Sequence, residues 1–147
     1  LEDLPSGRKC YVSFELFEHL HNPLKFLDVL NKQMNKGDIF IFTTLSGMGI
    51  DIQLLKEKPK SVPPPHHLNF LNPKSVSSLL NKNGFKVLEA ITPGRLDIDI
   101  LNKNKKYIKD TFWSNVIEYS NQKELFQIQD FISSSGLSSH MMITCIK

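Results

Sequence analysis

Cys10-Tyr11-Val12-Ser13-Phe14, then Asn22-Pro23 opening a stretch that closes at Gly37, then Asp38-Ile39-Phe40-Ile41-Phe42-Thr43-Thr44: this succession decides the architecture. The first and last runs are short, apolar and rich in β-branched and aromatic residues, the signature of strands. Between them, Asn22 is a natural N-cap, and Pro23 suits the first helical position, where its missing N–H would have had no partner. Leu24, Leu27, Val29, Leu30 and Met34 recur at helical spacing, and Gly37 ends the helix. Strand, helix and strand joined by short links form a βαβ unit with a right-handed crossover. The second strand carries no polar alternation, which predicts a parallel sheet covered on both faces.

Working outward, residues 45–72 form a long excursion that holds Gly47, Gly49 and the cluster Pro63-Pro64-Pro65-His66-His67. Loops of that length usually bind or cover something. Asn72-Pro73 repeats the cap signal, Val76, Leu79 and Leu80 mark an apolar helical face, and Asn83-Gly84 ends it before a strand over 85–91. A turn at Thr92-Pro93-Gly94-Arg95 leads into a short acidic-aliphatic link over 97–102. Tyr107, Ile108, Phe112, Val116 and Tyr119 lie roughly on one helical face, and Leu125, Phe126, Ile128, Phe131 and Ile132 mark a second helix. A Ser/Gly break over 133–139 precedes a last strand at 141–146. The expectation is one α/β domain over residues 1–147, with a helical insertion at 103–139.

The 147 residues, 40% hydrophobic and 22% charged, suffice for one domain with a real core. A formal charge of +3 excludes an acidic solvating chain and disorder by net charge. It also falls short of the one-sided basicity of a nucleic-acid binder, and the cations are overwhelmingly Lys, with Arg8 and Arg95 the two exceptions. Cys10 and Cys145 sit near opposite ends inside apolar runs, which predicts two buried thiols and a reducing, cytoplasmic setting. No apolar run approaches the roughly 20 residues that span a bilayer, so no membrane partner is expected. C-x-x-C, G-x-S-x-G and Walker A patterns are absent from the sequence.

The run Ser13-Phe14-Glu15-Leu16-Phe17-Glu18-His19-Leu20, then Asn22-Pro23, then Gly37-Asp38-Ile39-Phe40-Ile41-Phe42-Thr43-Thr44, resembles the C-terminal half of class I S-adenosylmethionine-dependent methyltransferases. Pro65-His66-His67-Leu68-Asn69-Phe70-Leu71-Asn72-Pro73 and Asn83-Gly84-Phe85-Lys86-Val87-Leu88 continue the likeness. It implies a partial Rossmann-like fold: the family's fourth, fifth and sixth strands in parallel, an antiparallel edge strand as the last, and the helical insertion before it. It also implies methyl transfer from S-adenosylmethionine to a small-molecule acceptor, with sugars or polysaccharide precursors in view. The family's Gly-rich loop, normally found upstream, has no counterpart here, because no G-x-G-x-G occurs. The expectation is therefore a truncated piece of such a domain, with the strand at 10–14 covered by residues 1–9 or by a second copy in a homo-oligomer. A non-catalytic, dimerising remnant is the alternative.

By the same resemblance, Phe14, Glu15, Leu16 and Phe17 follow the strand that lines the cofactor, although Phe17 serves equally well as core. His66 and His67 are expected as a substrate clamp or general base, since imidazole suits deprotonation of a hydroxyl or amine near neutrality. Arg95 is expected to hold an anionic substrate, or else to form a salt-linked turn with Asp97 and Asp99 beside it. Glu15, Glu18 and His19 form E-x-x-E-H, whose members share a face if the backbone turns helically. With His67 they resemble the divalent-metal site of small-RNA 2′-O-methyltransferases and ubiquinone-type O-methyltransferases. The other reading places the two carboxylates at the start of a helix, where the dipole favours them.

Overall fold

Along the chain the elements are β1 (Cys10–Ser13), α1 (Pro23–Gln33), β2 (Ile39–Leu45), α2 (Ile50–Leu55), α3 (Pro73–Lys82), β3 (Lys86–Ile91), α4 (Asp97–Lys103), α5 (Thr111–Tyr119), α6 (Gln122–Ser134) and β4 (His140–Ile146). The computed structural model describes residues 7–56 and 66–147. One sheet holds the strands in the order β1-β2-β4-β3. β1 runs parallel to β2, and β4 runs antiparallel to both β2 and β3. Three parallel strands with an antiparallel last one match the expected set. The last strand is internal and not at the edge, because Ile143 pairs with Phe42 on one side and Ala90 on the other.

The caps read from the sequence are in place. The Asn22 side chain accepts from the Lys25 N–H, and Asn72 accepts from Lys74 and Ser75 while the Ser75 hydroxyl takes the Asn72 N–H. Each such cap is worth on the order of 1 kcal/mol. Two helices fall where none was expected. Residues 50–55 form α2 inside the long excursion, with Ile50, Ile52 and Leu55 buried, and residues 97–103 form α4, with Ile98 and Leu101 buried. Both are short, and the glycines and aspartates around them mask the helical period. The helical part thus begins at Asp97 and not at residue 103.

The helical face expected over 107–119 is out of phase. Asp110 caps α5 by accepting from the Trp113 N–H, so the helix starts at Thr111 and turns Ile117 inward, leaving Phe112 and Tyr119 exposed. Phe126 and Phe131 of α6 are exposed as well, and Leu125 and Ile132 carry its packing.

Two apolar clusters result. In the first, Phe40 and Phe42 of β2 with Met141, Ile143 and Cys145 of β4 bury one sheet face against Leu27 and Leu30 of α1 and Val76 and Leu80 of α3. In the second, Ile50, Leu55, Ile98, Leu101, Ile117, Leu125 and Ile132 knit α2 to α4, α5 and α6. Fully burying each Leu, Ile or Phe contributes roughly 1.5–3 kcal/mol. The expectation of a sheet covered on both faces is not met among the described residues. Ile39, Ile41 and Leu45 alternate with the buried residues of β2 and stay half-buried.

Cys145 is buried, and burial pushes its thiol up to about 12, which makes it inert. Cys10, expected to be buried too, is exposed. β1 pairs on one side only among the described residues, and its alternation leaves Cys10 and Val12 open. Of the segment 1–9 expected to cover this strand, residues 1–6 lie outside the described residues. At the start of β1, the Asp38 carboxylate accepts from the N–H groups of Lys9 and Asn35, and these bonds hold it below the usual carboxylate range.

Candidate functional site

Because β1, β2 and β3 are parallel, their carboxyl ends share one edge of the sheet, and β4 begins there with His140 opposite Leu45. In open α/β sheets ligands bind outside that edge. It gathers the segments 14–19, 46–49, 92–97 and 138–140.

The first of these turns sharply. Glu15 adopts a left-handed conformation at φ 47°, unusual for a residue with a Cβ, and its N–H donates to the Thr43 carbonyl and hydroxyl, both at 3.2 Å. The corner pushes Phe14 (65% exposed) and Leu16 (42%) outward. Phe17 turns the other way: it is 2% exposed and stacks on Phe42 with ring centroids 5.1 Å apart, so its side chain is core and not a cofactor contact.

A single turn of 3-10 helix, Phe17–His19, then places Glu18 and His19. Glu18 is buried and accepts from the Thr44 hydroxyl at 2.8 Å. The loop carrying His66 and His67 is stitched to this turn. Leu68 and Asn69 donate their N–H groups to the Glu18 carbonyl at 2.7 and 3.1 Å. The Asn69 amide donates to the carbonyls of Phe17 and Leu20. Nδ1 of His19 lies 2.5 Å from the His66 carbonyl oxygen. A carbonyl only accepts, so Nδ1 is the donor and Nε2 is the nitrogen turned away from this bond. The His19 and His67 rings lie 4.7 Å apart, and ligand atoms of Glu18, His19 and His67 fall within 4.8 Å of one another. Three of the four residues expected around a metal therefore converge. Glu15 does not: its left-handed backbone sends its carboxylate to the His140 Nδ1, at 3.4 Å. His66 contributes its carbonyl to this cluster, and its residue is otherwise exposed.

Beneath the edge lies a buried polar knot that the sequence reading missed. Asp97, 1% exposed, accepts from the Ser138 hydroxyl at 2.7 Å, the Gln129 amide at 2.8 Å, and both the N–H and hydroxyl of Ser139, at 2.8 and 3.2 Å. A Cβ on Gly49 would collide with the Ser139 backbone, and one on Gly94 with the Ser138 hydroxyl, so these two glycines permit the close approach. Asp51 is equally buried, and neither of its carboxylate oxygens has a hydrogen-bond partner among the described residues. Burial and the adjacent Asp97 charge push its carboxyl above the usual range. The Asp-Ile-Asp-Ile run at 97–100 was the only available signal, and it read as a short acidic-aliphatic stretch.

Arg95 pairs with Asp130 of α6, and not with Asp97 or Asp99. Both line a cavity of about 790 Å³ at the carboxyl end of β3, together with Thr92, Phe131 and Ser133.

A family model described as a methyltransferase domain matches residues 9–90. No curated protein matches the chain significantly in sequence. Among solved structures, a methyltransferase from Haloferax volcanii, in complex with the Trm112 methyltransferase activator, superposes with a TM-score of 0.57 at 14% identity, over 98% of this chain and 57% of that one. An S-adenosylmethionine-dependent methyltransferase from Archaeoglobus fulgidus gives 0.54 at 12% identity, over 95% and 59%. The cyclopropane synthase MmaA2 from Mycobacterium tuberculosis gives 0.54 at 15%, over 95% and 55%. The chain thus spans little more than half the length of these structures, whose likeness is one of fold. With the family match reaching from β1 through β3, and the sheet order to go with it, the chain belongs to the methyltransferase-domain family and carries the Rossmann-like fold of the class I S-adenosylmethionine-dependent enzymes.

Proposed function

We propose that this protein transfers a methyl group from S-adenosylmethionine to a hydroxyl or amine of a small-molecule acceptor of sugar type. The corner at Phe14, Glu15 and Leu16 carries the reading. It presents two apolar side chains and a carboxylate at the carboxyl edge of parallel strands, a surface that suits an aromatic base and a thioether chain. These residues would hold the cofactor, which when bound supplies an electrophilic methyl group. The cavity beside Arg95 and Asp130 offers paired donors and acceptors of the kind sugar hydroxyls use. Because Asp130 already neutralises Arg95, a neutral polar acceptor fits better than an anion. The test is transfer of labelled methyl from S-adenosylmethionine to a panel of free and nucleotide-linked sugars by the protein at its natural length. Cofactor binding with no transfer to any of them would reject the acceptor class.

The 147-residue chain alone is expected to bind S-adenosylmethionine weakly or not at all. Its sequence has no G-x-G-x-G turn of the kind that lets backbone approach such a cofactor, and the corner at 14–16 would contact it from one side. Titration calorimetry checks this, and micromolar affinity in the isolated chain would show a site built differently.

A metal-assisted variant of the same reaction is favoured by one observation, the convergence of Glu18, His19 and His67. One carboxylate and two imidazoles suit Zn²⁺ or Mn²⁺. Thr44 on the carboxylate and the His66 carbonyl on Nδ1 of His19 are the kind of outer partners that orient metal ligands. One equivalent of Mn²⁺ should bind, detected by electron paramagnetic resonance, and binding should disappear in His67→Ala. Equal binding by wild type and variant would remove the cluster from consideration. Among the described residues β1 pairs on one side only, and its other edge is where a second copy or a protein partner would add, as an exposed strand invites.

A further inference from the structure

Glu15 and His140 meet across the carboxyl edge of the sheet, although 125 positions in the sequence cannot be bridged by any local motif. Each is held in place by a separate device. Glu15 sits in the left-handed region, which is disfavoured for a residue with a Cβ, and two bonds from its N–H to Thr43 keep it there. His140 opens β4 directly after Ser138 and Ser139, the two residues that Asp97 fixes from below. Its Cβ also lies against Gly94, where a side chain would crowd it.

Stability does not account for this arrangement. The two side chains are 49% and 42% exposed at 3.4 Å, and a solvent-exposed ion pair contributes little to stability. Strain that the surrounding structure holds in place at the ligand-binding edge points to a functional position. The chemistry is equally specific. The Glu15 carboxylate stands 3.4 Å from Nδ1 of His140, close enough to favour a proton on that nitrogen over Nε2 and so to direct the Nε2 lone pair outward.

We propose that Glu15 and His140 form a carboxylate–imidazole dyad in which His140 takes the proton of the acceptor during methyl transfer, an inference that rests on the methyl-transfer reading above. The acceptor oxygen or nitrogen attacks the methyl carbon and forms the new O–C or N–C bond. The C–S bond breaks, and its electron pair stays on sulfur as a neutral thioether. The acceptor's proton passes to Nε2 of His140, and the Glu15 carboxylate stabilises the imidazolium. His140 is the catalytic residue of the pair, and Glu15 and Asp97 are positioning residues for it. His66 and His67 then serve the neighbouring cluster, and the base lies on the last strand.

Two measurements on the protein at its natural length test this. Long-range ¹H–¹⁵N spectra of the imidazoles should show the His140 proton on Nδ1 in wild type and its redistribution toward Nε2 in Glu15→Ala. With labelled S-adenosylmethionine and the sugar panel, His140→Gln should lower turnover 10²- to 10⁴-fold. Its calorimetric affinity for S-adenosylmethionine and its thermal unfolding should stay unchanged, since the side chain is half in solvent. A wild-type His140 protonated on Nε2, or a spectrum indifferent to Glu15→Ala, overturns the dyad whatever the acceptor proves to be. So does His140→Gln turnover within twofold of wild type. Cofactor binding without transfer to any sugar rejects the proposed acceptor class instead, and the spectra alone then decide whether the pair exists.

Discussion

Asp97→Ala is expected to lower the stability of the fold by roughly 3–5 kcal/mol, a large part of what a domain of this size possesses. The substitution leaves the buried Ser138 hydroxyl, the part-buried Ser139 N–H and hydroxyl, and one bond of the buried Gln129 amide without an acceptor. Gln129 retains the Gly94 carbonyl and the Ser133 hydroxyl as partners, so the loss concentrates on Ser138 and Ser139. Buried donors stripped of their acceptor cost about 1–3 kcal/mol each. Urea unfolding should show the midpoint falling with an unchanged slope. Asp97→Asn should lie between wild type and Ala, because its amide keeps one acceptor oxygen and turns a donor toward donors. An unfolding free energy within about 1 kcal/mol of wild type for Asp97→Ala would mean that the knot does not hold the fold together.

Asp51→Asn is expected to act in the opposite sense. The Asp51 carboxyl is buried beside Asp97, its oxygens are unpartnered among the described residues, and burial with the neighbouring charge raises its proton affinity. The nearby Ser139 hydroxyl opposes this only in part, being committed to Asp97. A carboxyl with a raised folded-state pKa makes the folded state the better proton binder. Its contribution is fully present below the ordinary value of 3.8 and is lost as pH rises through the raised one. Wild-type stability should therefore decline over that interval relative to the Asn variant, whose side chain does not titrate. At neutral pH the variant should be the more stable by about 1–3 kcal/mol, the scale of an uncompensated buried polar group. The difference between the two stability–pH curves isolates this residue from all others. Parallel curves would show that Asp51 is ionised and satisfied in the fold.

Both residues bear on how the candidate site is held. α2 carries Asp51 and α4 begins at Asp97, and the two helices share one apolar cluster, so the knot joins the segment after β2 to the helical part and to the start of β4. His140 inherits its position from that joint. Loosening Asp97 should therefore disturb the carboxyl edge of the sheet as well as global stability.

Local chemistry was enough to determine the βαβ unit, the caps at Asn22 and Asn72, the burial of Leu27 and Leu30 on α1 and of Val76 and Leu80 on α3, and the methyltransferase likeness, whereas Leu24 and Val29, read as part of the α1 face, are exposed. Each of these depends on residues within a few positions of one another, where periodicity and capping act directly. The grouping of Glu18, His19 and His67 was also legible, because a known spacing pattern carried it. What the tertiary structure alone decided depends on pairings between distant segments. It placed β4 inside the sheet, turned Phe17 into the core, and swung Glu15 away from Glu18 toward His140. It paired Arg95 with Asp130 and buried Asp51 beside Asp97. A side chain's direction at the end of a strand is set by one backbone dihedral and by whatever the sheet order brings opposite it. Neither quantity is encoded in a local period, so a carboxylate three residues from its expected partner in sequence ends up facing an imidazole on the last strand.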